Sequence, residues 1–357
     1  MHQSHSDLAD IIARFHIEGR LVALKQTNEG HINDTFFSTF DEQGTVRRYT
    51  HQRINHFVFK NPPQVMENIH LVTSHIQAKL AQTYDDYSKR CLVIVPTKDE
   101  GLFHRDEAGN FWRTYRYIDG VKTIPRVENV NQAYLLGKAV GTFQTQLADF
   151  DGSRLHQTIA DFHDMRVRYD QLKEALTLDR FNRAKDVRPE LEYLDQNRKR
   201  GYVLIDGFKS GQLPVRVTHN DTKISNVLFS EDGLEALCII DLDTVMPGTI
   251  LFDSGDMIRT ATTTAVEDEK DVSLVHCNKA FHDALLEGYF SYAGFLTHEE
   301  RELVVESGRN ITQIMAVRFL TDYLGGDAYY HTEYEEHNLI RARNQIALMR
   351  DMDRLFG

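Results

Sequence analysis

With 357 residues, 41% hydrophobic and 26% charged, the chain has the composition of an ordinary soluble globular protein. At about 100–200 residues per domain that length implies two domains or lobes. A net charge of −12 with no long Lys/Arg run excludes nucleic acid or an anionic membrane as the main partner, and no apolar stretch reaches membrane-spanning length. The N-terminus lacks a basic-then-apolar signal pattern, and Cys91, Cys238 and Cys277 stand outside any CxxC spacing, so a cytoplasmic protein is expected.

The first 120 residues read as mainly strands. An opening helix is predicted over Leu8–Arg14, then a strand–turn–strand around Glu29-Gly30-His31 whose second strand covers Thr35–Phe40. A turn at Asp41–Gly44 leads to a strand at Val46–Arg53. After Asn61-Pro62-Pro63, the residues Val65, Ile69, Val72 and Ile76 mark one face of a helix. Leu92–Val95 is a short β-branched run. Gly101–Arg105 and Phe111–Ile118 form a hairpin across a turn at Asp106–Asn110.

Beyond this the pattern turns helical. Val130, Ala133, Leu136, Val140, Phe143 and Leu147 recur at three or four, which predicts a buried helix of about five turns. Helices are also predicted through Leu172–Leu176, Glu190–Arg200, Arg301–Tyr323 and Leu339–Phe356, with a β-rich exception at Val215–Asp243. The expected organisation is α+β and bilobal: a β-rich N-terminal lobe, residues 1–119, and a mainly helical lobe with an embedded β-hairpin, residues 120–357.

The strongest chemical signal is Val217-Thr-His219-Asn-Asp221-Thr-Lys223-Ile-Ser-Asn226, followed by Ile240-Asp241-Leu-Asp243. A turn near Gly233 lies midway between Asn226 and Asp241, so a hairpin brings these two oxygen ligands side by side. Magnesium takes such a carboxylate and amide oxygen together with substrate phosphates and water. Asp221 then remains to orient a hydroxyl and accept its proton, with His219 buttressing the loop.

HNDTKxxN, the hairpin, IIDLDT and a following FDSGD resemble the aminoglycoside-phosphotransferase branch of the protein-kinase-like fold. The words GHIN, VTHNDTK, IIDLDTxMPGxxLFDxGDxIR, AVEDEKD and RFLxDYLxGDxY are similar to the N-acetylhexosamine 1-kinases, in order from Gly30 to about Tyr329. The resemblance implies Asp221 as catalytic base and Asn226 and Asp241 as Mg2+ ligands, with ATP as phosphate donor. Asp243 is open between a supporting part, a sugar contact and a solvent-facing turn residue. Asp253 and Asp256 resemble the acidic pair that holds the catalytic loop.

Gly30, His31 and Asn33 stand where the family's nucleotide loop lies, with one glycine where a typical kinase has three. The third-strand lysine is replaced by Gln52 or Arg53, whose facings alternate. Its acidic helix partner is Glu67 if any. The strand ending at Tyr117 and Asp119 resembles the hinge that reads adenine. On the helical lobe, Arg318, Asp322 and Tyr329 are implied as sugar contacts, because Arg and Tyr suit a neutral sugar. The expected protein is a monomeric, cytoplasmic kinase of the anomeric hydroxyl of N-acetylglucosamine or N-acetylgalactosamine. The alternatives are a same-fold kinase of choline, homoserine or an aminoglycoside, and a catalytically inactive nucleotide-binding module.

Overall fold

The computed structural model describes residues 5–27 and 32–357. Two compact units divide the chain: residues 1–122, 153–159 and 228–246 form the first, and 123–152, 160–227 and 247–357 the second.

The first unit begins with α1 (His5–Ile12), which stops short of the expected Arg14. It continues through β1 (Arg20–Thr27), β2 (Asp34–Glu42), β3 (Thr45–Ile54), α2 (Pro62–Leu80), β4 (His104–Arg105), β5 (Phe111–Arg116) and β6 (Val121–Lys122). Strands β1 to β5 make one antiparallel sheet in the order β1-β2-β3-β5-β4. Alternation along β2 and β5 sends Phe36, Phe40 and Trp112 to one face, where they pack with Leu8, Ile12 and Phe15. Asn61 caps α2 through its side chain, and Pro62 occupies the first turn, where a missing N–H costs nothing. The Leu92–Val95 run forms no strand of its own. It joins β5 through a bridge at Ile94–Tyr115.

The second unit carries α3 (Val130–Gln146), α4 (Met165–Leu178), α5 (Arg188–Gln196), α6 (Arg198–Gly201), α7 (Val203–Lys209) and β7 (Arg216–Thr218). The chain then makes β8 (Val227–Ser230) and β9 (Ala236–Ile239), which pair with β6 in the order β6-β8-β9, and β10 (Met246–Gly248). Helices α8 (Leu251–Thr262), α9 (Lys279–Tyr292), α10 (His298–Leu324) and α11 (His337–Phe356) complete the second unit. The single helix expected over Glu190–Arg200 is broken at Asn197. Its amide bonds back to the Tyr193 carbonyl at 2.8 Å and its oxygen accepts from Arg309 at 2.5 Å, so the side chain competes with the helix.

Helices α8 and α10 approach closely through two glycines. A Cβ on Gly255 would lie 2.5 Å from the Ser307 carbonyl, and one on Gly308 would lie 2.4 Å from Ile258. This contact fixes α8, whose first turn carries Asp253. Among the described residues, no helix is long and apolar enough to cross a membrane.

Candidate active site

In the second unit, β7 delivers the loop His219–Lys223. Asn220 takes a left-handed conformation, φ 67°, which turns two successive N–H groups toward α8. Asp253 receives both: Oδ2 accepts from His219 N at 3.0 Å and Oδ1 from Asn220 N at 2.7 Å. Thr222 Oγ1 adds a bond to the Asp253 carbonyl at 2.6 Å, and Gln144 and Tyr289 extend the network behind it. Burial raises the Asp253 pKa above the ordinary carboxylate value, against the pull of His219 and these donors.

Asp253 therefore holds the loop as expected. Asp256 takes no part in this clamp, since its Oδ1 accepts from Arg259 at 2.9 Å, one helical turn on. It stays on the loop side of α8, as i and i+3 positions do, and the charges of Asp221 and Lys223 act on it there without a hydrogen bond to the loop.

Asp221 Oδ2 accepts from Lys223 Nζ and from Asn226 Nδ2, each at 2.9 Å, and Oδ1 accepts no bond among the described residues. Burial pushes the Asp221 pKa up, but the Lys223 ammonium, its hydrogen bond, His219 and the Asn226 amide outweigh it, so the carboxyl lies below its ordinary value. The group is an ionised acceptor with one open oxygen. His219 is fully buried, sits edge-on to Phe143 at 5.8 Å, and accepts the Asp221 N–H on Nδ1 at 3.2 Å. Through this bond its ring supports the loop backbone beside Asp221.

Asn226 gives both amide hydrogens to Asp221, one to the carbonyl and one to the carboxylate, each at 2.9 Å. That fixes its Oδ1 as a neutral oxygen acceptor at the start of β8. Asp241 follows β9 and adopts a left-handed conformation, φ 63°, a place Asp tolerates. Each of the two is by itself an oxygen ligand of a kind that magnesium takes.

The first unit holds a buried ion pair that the sequence did not disclose. Arg113 on β5 pairs with Asp243, and the two side chains are 2% and 3% exposed. Asn33 Nδ2 donates to the other Asp243 oxygen at 2.6 Å, while Asn33 Oδ1 accepts the Asn55 N–H at 2.9 Å. Gln52 accepts from Arg113 Nε at 3.0 Å. Burial opposes the Arg113 charge, but Asp243 overrides it and raises the guanidinium pKa. Asp243 is thus neither a solvent-facing turn residue nor a group available to a sugar hydroxyl.

The register settles the facing of β3. Gln52 lies opposite Arg113 and shares its face. Arg53 lies on the other face, bonded to Asp34 at 2.7 Å and over Trp112 at 6.0 Å. Glu67 accepts from His156 at 2.7 Å and has no part in the Arg113 pair. Tyr117 packs edge-on to Phe37 beneath Arg48, which also pairs with Asp119. Gly30 and His31 lie outside the described residues.

On α10, Arg318 has aromatic rings around it: Phe162 at 5.1 Å, Tyr330 at 5.5 Å and Tyr329 at 5.7 Å. Among the described residues no carboxylate pairs with it. Asp322 instead ties down the following loop. Its oxygens accept from Tyr329 N at 2.8 Å, and from Tyr330 N and Asn338 Nδ2 at 2.9 Å. It lies near Arg318 and Tyr329 but serves as their support, since both oxygens are engaged by the loop that carries Tyr329. Lys223 is a site residue to which the sequence pattern alone assigned no role, and its position two residues from Asp221 was the available signal.

A β-sheet unit and a helical unit carrying a His-Asn-Asp loop define a kinase-like phosphotransferase architecture. Residues 23–303 match the phosphotransferase enzyme family, and the chain belongs to that family. Solved structures share the fold at low identity. A microcompartment-associated aminopropanol kinase is 11% identical over 98% of this chain and 97% of its own, with a TM-score of 0.61. Spectinomycin phosphotransferase in complex with ADP and spectinomycin is 11% identical over 100% and 95%, at 0.54. Choline kinase from Cryptosporidium parvum is 13% identical over 99% and 96%, at 0.53. The expected α+β kinase-like fold is therefore the observed one.

Proposed function

We propose that the protein is an ATP- and Mg2+-dependent kinase that transfers a phosphoryl group to the anomeric hydroxyl of N-acetylhexosamines. The observation that carries the reading is the pairing, in one unit, of an ionised Asp221 having an open oxygen with an Arg318–Tyr329 cluster whose guanidinium makes no ion pair among the described residues. Asp221 Oδ1 accepts the 1-hydroxyl hydrogen and orients its oxygen for in-line attack. An anomeric hydroxyl is more acidic than an ordinary alcohol, so a carboxylate suffices as base. Lys223, beside Asp221, offers a positive charge to the transferring group.

Asn226 and Asp241 would hold magnesium, which supplies charge neutralisation at the phosphates when bound. The nucleotide is assigned to the Gly30–Asn33 segment, to Gln52 and to the strand end at Tyr117–Asp119. Arg53 is omitted because it faces away from Gln52 and pairs with Asp34. The sugar hydroxyls and acetamido group are assigned to Arg318 and Tyr329, with Asp322 as their support.

A second reading is a kinase of a small amino alcohol, as the names of the aminopropanol and choline kinases suggest for a shared fold. A cationic acceptor would call for acids or an open aromatic cage, and Arg318 occupies the aromatic cluster itself. ADP release coupled to a substrate panel separates the two. Turnover with N-acetylglucosamine or N-acetylgalactosamine and none with choline or aminopropanol is expected, and the reverse would overturn the sugar assignment.

A further inference from the structure

Behind Arg318 lies a second guanidinium that none of the functional assignments above uses. Arg168 on α4 directs Nη2 to the carbonyls of Asp161 and Phe162 at 2.8 and 3.0 Å, and Nη1 to Gln171 at 2.8 Å. Its Nε is buried with no hydrogen-bond partner among the described residues, as is the Tyr330 hydroxyl. Phe162 stacks under Arg318, His163 follows it in the chain, and His163 packs on Phe252 at 5.0 Å. Phe252 precedes Asp253, which holds the catalytic loop, so this cluster adjoins the loop through direct contacts within one unit.

The charge balance of the cluster is unusual. Arg168 and Arg318 are close enough that, after burial, Arg318 is the next cause lowering the Arg168 pKa. The His163 imidazole is kept neutral by burial, with both arginines adding to the effect. Neither guanidinium forms an ion pair with a carboxylate among the described residues. Glu267, whose charge reaches Tyr330, is paired with Arg259 at 3.3 Å and Arg341 at 3.7 Å, and Asp322 is engaged by the Tyr329–Tyr330 backbone. Asp161 meets Arg168 through its backbone carbonyl. Asp161 offsets part of the Arg168 charge, but two like charges held together with no carboxylate bonded to either are a cost that folding tolerates where a ligand or substrate selection makes use of it.

We infer that Arg168 is a specificity residue that acts through its field, making the Arg318 pocket doubly positive so that it rejects cationic acceptors and favours neutral ones rich in oxygen acceptors. The inference rests on the acceptor lying against Arg318. Arg168 touches no substrate, because its terminal nitrogens are engaged by Asp161, Phe162 and Gln171. Its effect is repulsion of an ammonium group, the negative half of the discrimination, while Arg318 and Tyr329 supply the attractive half.

The test compares N-acetylglucosamine, glucose and glucosamine as acceptors for the intact enzyme, Arg168→Gln and Arg168→Lys, by coupled ADP release. Wild type should prefer glucose over glucosamine by about tenfold in kcat/KM. Arg168→Gln should narrow that ratio by about threefold or more, through the KM of glucosamine, with kcat for N-acetylglucosamine little changed. Arg168→Lys, which keeps the charge, should retain the wild-type ratio. A purely structural part for Arg168 would change all three sugars together.

If Arg168→Gln does not fold, the wild-type ratio at about 0.02 and 0.3 M salt decides, since screening should narrow it. Unchanged ratios in Arg168→Gln, or a salt-independent ratio, overturn the inference. If wild type phosphorylates none of the sugars, the sugar reading fails by itself. Charge selection is then scored on choline against its neutral isostere 3,3-dimethylbutan-1-ol, where equal use of the two would overturn it.

Discussion

Arg113→Met should destabilise the first unit far more than an ordinary substitution. The arginine and Asp243 are 2% and 3% exposed, so removing the cation strands a carboxylate that water cannot reach. Breaking a buried pair from one side costs about 3–5 kcal/mol, whereas neutralising both partners restores much of it. Asn33 still donates to Asp243 after the change, which favours the lower part of that range. Trp112, the chain's only tryptophan, is fully buried next to Arg113 in β5, so its fluorescence reports this unit. With a urea slope of about 2 kcal/mol per M, the midpoint should fall by about 2 M. Adding Asp243→Asn to Arg113→Met should recover at least half of that fall. A midpoint shift below about 0.3 M in the single variant would refute the buried-pair argument, as would a double variant no more stable than the single.

Three further outcomes are expected. Burial holds the His51 imidazole at about 3, against about 6.5 in an unfolded chain, so between these values the unfolded state binds more protons. Its contribution is complete above about pH 6.5 and is lost as pH falls toward 3. Thermal or urea unfolding of His51→Gln should therefore lose about 2 kcal/mol less than wild type between pH 7 and 5, and equal losses would contradict this. Asp253→Asn weakens the clamp on His219 and Asn220, and kcat should fall about 100-fold with nucleotide affinity, measured by calorimetry, little changed. Asp322→Ala frees the Tyr329–Tyr330 loop, so steady-state kinetics should show KM for the sugar rising about tenfold with kcat within about threefold.

Local rules carried much of the fold. The three-and-four spacing from Val130 to Leu147 marked α3 because one buried face imposes that period, and the turn at Gly233 marked the β8–β9 hairpin because its φ of 76° suits glycine. The loop from His219 to Asn226 was legible as a motif, and Asp253 could be read as its clamp. The Arg113–Asp243 pair was not legible. Its partners lie 130 residues apart, and the FWRTYR strand reads as an aromatic core strand until the register puts Arg113 beside Gln52. The loop bonds of Asp322 were not legible for a related reason: spacing places it near Arg318, but only the fold of the 327–330 loop decides which donors reach its oxygens. That neither Arg318 nor Arg168 forms an ion pair among the described residues depends on where α4 and α10 bring every nearby acid, which no single segment encodes.

The most direct test of the central claim is the chemical identity of the product. Incubation with ATP, Mg2+ and N-acetylglucosamine or N-acetylgalactosamine should give a sugar whose 31P signal couples to the anomeric proton, and Asp221→Asn should give none while still binding nucleotide. A phosphate on C6, or transfer that persists in Asp221→Asn, would contradict it.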